Sequence, residues 1–448
     1  MLRETLICEG SGDAWHMINP DRTTKRSRDL CYEVRLKENL WGAWNAVRRR
    51  ALLSRDKETS SDAREFDQNP SKHIRALHEA LRHGTFQFAP QRGVLRFKNG
   101  KTPRPIVVSP VRNRLVQRAI LDVLQSDAPS ISKRLGEIPA TLATATSVGG
   151  IPGRGSPEAV ALIRDRISAG ATHFIRSDIK NFFTRVPAPK VLAFLHEQSG
   201  DARFVEFVKA ALAVELSNAE EPKIRDWISL FPTEEVGVPQ GSSLSALCAN
   251  VVLRDFDKAL NKRGICTVRY IDDFVMLGKS EKSLKLAWAT AERILGELGL
   301  EAHSPFPGNA KAANGTVQAG FDFLSFKFVG NTVAPSRKAK QDLIAAVRQE
   351  VADVRKAIQA AGQEPRRAEP RLVQSLNKID RRVRGWGDAF KDVDQRLEFS
   401  QMDEELRQQI DKLVKWHFNS SKGIPTVAMM RSLGVALLAD TPLVAAES

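Results

Sequence analysis

The stretch Cys266–Leu277, CTVRYIDDFVML, constrains the fold more than any other part of the chain. Apolar residues on both sides of an adjacent Asp272–Asp273 pair alternate with the period of two that a half-buried strand requires. Aspartate is a poor strand residue and a good turn residue, so the stretch reads as a tight β-hairpin with both acids at its tip. Carboxylates held side by side repel each other, and a divalent cation over them relieves the repulsion. A solvent-exposed Asp-Asp turn fits the same pattern, and the hairpin alone leaves both readings open.

Charge narrows the choice. The 448 residues carry 68 Lys and Arg against 53 Asp and Glu, a formal net charge of +15, which points to an acidic partner: nucleic acid, or in competition with it a membrane surface. A chain of this length predicts two or three folding units. No apolar run approaches the span of a bilayer and the first residues lack a signal-peptide core, so a soluble cytoplasmic protein is expected. Cys8, Cys31, Cys248 and Cys266 have no CxxC spacing and read as core residues or free thiols.

In chain order, residues 1–29 are polar, with a basic run at Lys25, Arg26 and Arg28, and predict a mobile leader. Leu40, Trp41, Trp44, Val47 and Ala51 share a helical face, with Arg48, Arg49 and Arg50 around it; a second helix is expected from Ser71 to His83. Residues 93–108, GVLRFKNGKTPRPIVV, read as a hairpin turning at Asn99–Gly100. Arg96, Lys98, Lys101 and Arg104 cluster around that turn and can lie along a triphosphate, although a solvated basic hairpin fits equally. The next helix carries Leu115, Val116, Ala119, Ile120, Val123 and Leu124 at core spacing.

GGIPGRGSP then reads as a loop whose Arg154 can reach a backbone phosphate, and a helix from about Glu158 to Ser168 leads into the strand THFIRSD, ending at Asp178. A carboxylate at a strand end can join an acidic hairpin tip on a neighbouring strand. Three acids from two strands can hold two Mg²⁺ ions, the arrangement that clamps the attacking and leaving oxygens in displacement at phosphorus. VPQGSS predicts a helix start capped by Ser242 or Ser243, followed by a stripe from Leu244 to Phe256. Beyond residue 340, the apolar stripes Leu343–Ile358, Leu372–Phe390 and Leu406–Leu413 predict three amphipathic helices, broken near Pro365 and Pro370. Arg366, Arg367, Arg371, Lys378, Arg381, Arg382 and Arg384 make the second strongly basic, suited to duplex phosphates. The segment from Pro425 to Ser448 is mildly apolar and too broken to span a membrane.

Six blocks in order, KTPRPIVVSPVRNRLVQRAI, GGIPGRGSPEA, DIKNFF, VPQGSS, YIDD and FDFLSFKF, resemble the reverse transcriptases, in particular the bacterial group related to group II intron enzymes. The resemblance spans most of residues 85–420. It implies an α+β right-hand polymerase: a flexible leader (1–29), an N-terminal extension and fingers (30–170), a palm of antiparallel sheet and helices (171–330), an α-helical thumb (331–420) and a tail (421–448). It implies that Asp178, Asp272 and Asp273 are the catalytic, metal-binding acids for two Mg²⁺ ions. Lys101 and Arg104 match the fingers residues that grip the incoming triphosphate. Phe183, five positions after Asp178, matches the aromatic gate beneath the sugar, with a plain core aromatic as its alternative. Gln240 and its neighbour Gly241 match the segment near the incoming nucleotide, and Lys311 stands where the family often has a lysine near the pyrophosphate. Arg154, Arg381, Arg382 and Arg384 are the expected nucleic-acid contacts.

The function implied is RNA-directed DNA synthesis from dNTPs on an RNA template and a DNA or RNA primer, with a non-coding RNA as a further candidate partner. No endonuclease signature of His and Cys clusters follows the thumb region, and TVAPSRK lacks the Val-Thr-Gly element of retron enzymes. The resemblance is therefore to stand-alone enzymes, many implicated in defence against phage. Two rivals remain: an enzyme of the same fold adding nucleotides without a template or from a protein hydroxyl, and a maturase-like RNA-binding protein with vestigial acids.

Overall fold

The computed structural model describes residues 29–98, 101–262, 264–360, 365–394 and 397–418, together with Val435, Leu437 and Leu438. The expected leader, apart from Asp29, and nearly all of the expected tail lie outside the described residues. Among the described residues no helix is long and apolar enough to cross a membrane. The chain forms two compact units, one from Met1–Pro152, Ile179–Ala259 and Thr290–Ala302, the other from Gly153–Asp178, Leu260–Ala289 and His303–Ser448.

The first unit is built on the helix Val111–Leu124, which buries ten of its fourteen residues. With so little solvent face, its polar side chains turn to bonds within the protein. Asn113 exchanges two hydrogen bonds with the backbone of Ala89, and Gln117 Nε2 donates to the Ala211 carbonyl at 2.8 Å. The helix Lys37–Leu52 buries Leu40, Ala43, Trp44 and Ala51. Trp41, expected in that stripe, is exposed, because one residue past Leu40 lies about 100° round the helix. The expected second helix forms over Pro70–His83 and ends at Gly84 in the left-handed conformation.

Strands β1 (Arg92–Lys98) and β2 (Lys101–Val108) form the expected antiparallel hairpin. Pairing of Lys98 with Lys101 leaves a two-residue loop, Asn99–Gly100, which lies outside the described residues. The start of the helix after VPQGSS departs from expectation. It spans Ser245–Val252 without a side-chain cap. Ser242 Oγ instead accepts from the Leu244 amide at 3.2 Å, so it is spent on the turn before the helix.

The second unit holds a four-stranded antiparallel sheet in the order β4–β5–β3–β6, where β3 is His173–Asp178, β4 Cys266–Tyr270, β5 Asp273–Gly278 and β6 Ala313–Thr316. Both faces are covered: Phe174 stacks on Phe321 at 4.5 Å, and Phe274 on Trp288 at 6.2 Å. A three-stranded sheet follows, from β7 (Phe321–Phe323), β8 (Phe326–Val329) and β9 (Thr332–Pro335). The helices Arg337–Ala360, Pro365–Ala389 and Leu397–Phe418 then pack together. Their buried side chains include Leu343, Val347, Val351, Val354 and Ile358, and Leu372, Leu376, Ile379 and Val383, as the periodicity predicts. Pro370 does not interrupt the second helix, which runs through it from Pro365.

Candidate active site

The β4–β5 hairpin turns one residue earlier than its acid pair suggests. Tyr270 pairs with Asp273, so the loop residues are Ile271 and Asp272, and Asp273 is already the first residue of β5. On its other side Asp273 pairs with Asp178, the last residue of β3. Tyr270, Asp273 and Asp178 therefore form one row across three strands. Directly opposed residues in antiparallel strands face the same way with Cβ atoms about 5 Å apart, which brings two carboxylates together on one face. Asp272 sits beside them at the tip.

Asp178 is held at both backbone and side chain. The amide of His303 donates to its carbonyl at 3.0 Å, and the preceding Ser177 hydroxyl donates to the His303 carbonyl at 2.7 Å. The residue is 7% exposed, and its carboxylate forms an ion pair with Lys311. Lys311 is presented by an Asx turn in which Asn309 Oδ1 accepts from the Lys311 amide at 2.7 Å and the Ala312 amide at 3.1 Å. Asp273 is exposed and Asp272 half-buried.

A ready-made three-ligand metal cluster, as expected for the triad, does not appear: among the described residues no three His, Cys, Asp or Glu side chains are arranged to hold an ion. Opposed carboxylates favour a positive charge beside them. Lys311 is that charge at Asp178. The locus fits magnesium by its oxygen donors and by the cation it already attracts, and Asp178, Asp272 and Asp273 are the residues that would hold it.

The remaining nucleotide-binding candidates belong to the first unit, where backbone hydrogen bonds connect most of them. The Val238 amide donates to the Phe183 carbonyl at 2.8 Å, and the Val107 amide, on β2, donates to the Gln240 carbonyl at 2.9 Å. Phe183, Gln240, Gly241 and the strand bearing Lys101 and Arg104 thus form one connected patch. Gly241 has φ +129°, and a Cβ there would lie 2.5 Å from the Val107 carbonyl oxygen, so only glycine fits against β2. Phe183 is half-buried and Gln240 partly open, compatible with contact from one side. Arg104 is exposed and directly opposite Arg96, which is also exposed. Like charges opposed across a hairpin destabilise it unless an anion sits between them.

In the second unit, Arg381, Arg382 and Arg384 are exposed on the helix Pro365–Ala389, Arg384 pairing with Asp380 at 3.0 Å. Arg154 lies in the turn before the helix Ser156–Ser168 and is partly exposed. One residue escaped the sequence reading altogether: Arg269 on β4, fully buried beside the turn. A guanidinium at an inward phase of an apolar strand was the signal available.

The sequence pattern of the family described as "Reverse transcriptase (RNA-dependent DNA polymerase)" matches residues 97–326, just over half of the chain and all of the acid-bearing strands. The chain belongs to the reverse transcriptase family. The chain is 29% identical over 180 residues to an uncharacterised 91 kDa protein in the cob intron of Schizosaccharomyces pombe, covering 40% of the chain and 20% of that protein. It is 26% identical over 195 residues to Protein YkfC of Escherichia coli, covering 42% and 46% of the two. To the group II intron-encoded protein LtrA of Lactococcus lactis it is 26% identical over 187 residues, covering 41% and 28%. The match spans less than half the length of each relative. Among solved structures, a partial Cas6-RT-Cas1–Cas2 complex aligns with TM-score 0.33 and 22% identity over 63% of the chain and 44% of its own. Telomerase from Candida albicans aligns with TM-score 0.40 and 13% identity over 78% and 65%.

Proposed function

We propose that the chain is an RNA-directed DNA polymerase that extends a primer hydroxyl with deoxynucleotides on an RNA template by two-metal nucleotidyl transfer. The observation that carries this reading is the row Asp178–Asp273–Tyr270 beside Asp272, with a cation already drawn to Asp178. Two magnesium ions held by Asp178, Asp272 and Asp273 would activate the primer hydroxyl and neutralise the leaving pyrophosphate. Lys101 and Arg104 grip the triphosphate, and the opposed Arg96–Arg104 pair supports an anion at that hairpin. Phe183 underlies the sugar and excludes a 2′-hydroxyl, while Gln240 and Gly241 line the nucleotide. Arg154, Arg381, Arg382 and Arg384 hold nucleic-acid phosphates, a sequence-independent contact.

The test is incorporation by the purified chain on an RNA template with a DNA primer, four dNTPs and Mg²⁺. A product complementary to the template is expected, and Asp178→Asn or Asp273→Asn should cut the rate by about three orders of magnitude. A homopolymeric or random product contradicts templated copying and favours untemplated addition. Normal RNA binding without incorporation under any divalent ion favours the maturase-like alternative. The cellular role we propose is defence against phage, a reading that rests on the sequence resemblance alone; unchanged resistance in cells carrying Asp272→Asn and Asp273→Asn variants would count against it.

A further inference from the structure

Arg269 lies on β4 two residues before the turn, with none of its surface exposed. A guanidinium keeps its charge at every physiological pH, so burying one demands partners that repay the lost hydration. Its Nη1 donates to the Ile271 carbonyl oxygen at 2.9 Å. Ile271 is itself under constraint, with φ +61°, a region that a β-branched side chain enters only when its surroundings force it. The carbonyl that Arg269 grips belongs to the planar peptide joining Ile271 to Asp272, so holding that oxygen fixes the plane from which Asp272 departs. The strand ladder cannot do this, because Ile271 and Asp272 are the two loop residues left out of the pairing between Tyr270 and Asp273. Opposite Arg269 on β5 is Phe274, backed by Trp288, an apolar wall on the same face of the sheet.

From the buried charge, the left-handed isoleucine and the bond between them, we infer that Arg269 is a positioning residue: it locks the turn in its strained form and so sets the direction of the Asp272 carboxylate. The inference rests on reading Asp272 as catalytic. Strain of this kind persists only while something holds it, and a displacement of about 1 Å at a reacting group can cost on the order of 100-fold in rate.

Arg269→Met keeps the bulk and removes the donor. It should lower kcat about 100-fold while leaving the KM for dNTP within about twofold, since the loss concerns orientation and not nucleotide binding. Glycine adopts positive φ without a clamp, so adding Ile271→Gly to Arg269→Met should recover at least about tenfold in kcat. A merely structural arginine gives no such recovery. Hydrogen exchange separates this inference from the polymerase reading: amides of the 266–277 segment should exchange faster in Arg269→Met than in the wild type. If Arg269→Met does not fold, Arg269→Lys, which keeps the charge but not the fork, is used for the same measurements. Wild-type exchange in that segment overturns the clamp whether or not the chain polymerises, and so does a kcat loss that Ile271→Gly leaves untouched. A wild-type chain that incorporates nothing overturns only the function, and the exchange result then stands alone.

Discussion

Asp178 and Lys311 show how a single pair can report what a site is for. A carboxylate so little exposed needs a counter-charge, and removing one leaves an uncompensated group. Lys311→Met should therefore lower the melting temperature in the absence of divalent ions, and added Mg²⁺ should raise it by more than it raises that of the wild type. Equal shifts in the two proteins would argue that the lysine and the metal do not share Asp178. A second residue, Asp56, caps the helix Lys57–Gln68 through the Thr59 amide and is ion-paired with Arg92 at the base of the basic hairpin. Burial alone would raise its pKa, but Thr59 and Arg92 outweigh burial and hold the carboxyl below the usual aspartate value. A depressed folded-state pKa contributes stability that is complete above about pH 3.9, the unfolded value, and is lost as pH falls through the folded value. The stability gap between wild type and Asp56→Asn, read by thermal melts, should be widest near pH 6 and close below about pH 4. Residue identity was the legible part of the candidate site: Asp178, Asp272 and Asp273 stand out by type and spacing, and the pairing of β3 with β5 sets the first opposite the third. Arg269 did not stand out, because its one local signal, a guanidinium within an apolar strand, is weak beside the many arginines that face solvent.

The hairpins separate what alternation encodes from what it does not. Strands β4 and β5 were readable from their period of two, yet the turn fell one residue early, because aspartate's preference for turns drew both acids into a loop that needs only one. Between β7 and β8 the turn is made by Leu324 and Ser325, at φ +49° and +73°. Tertiary packing of Phe321 against Phe328, 5.0 Å apart, supports a turn that local propensity opposes, and no glycine or asparagine advertised it. Pro370 was misleading in the opposite sense, since the helix Pro365–Ala389 continues through it although a proline there removes one internal bond. The β1–β2 hairpin yields its own prediction. Arg104→Ala removes half of an opposed like-charged pair, so the melting temperature should not fall, while the KM for dNTP should rise about tenfold. A fall in stability with unchanged KM would mean that the arginine serves the fold and not a ligand.

For the whole molecule, the proposed hold on nucleic acid would draw on the +15 charge and weaken as salt rises. Arg382→Ala should reduce the slope of log affinity for an RNA–DNA duplex against log salt by about one, with little change of sequence preference; an unaltered slope removes that arginine from the interface. Fold class was legible at this scale because six short blocks in fixed order constrain topology more than any one of them. The division into compact units was not, because it depends on contacts between segments far apart in the chain. Each unit is assembled from three separate stretches, and the last piece of the first is Thr290–Ala302. A ribosome adding about 5–20 residues per second needs on the order of 15–60 s to reach that piece. Until then Ile179 and Lys180, which bond to Ala302 and Glu301, lack their partners, so the nascent chain must carry an unfinished edge while the intervening residues are made, and chaperones have that long to find it.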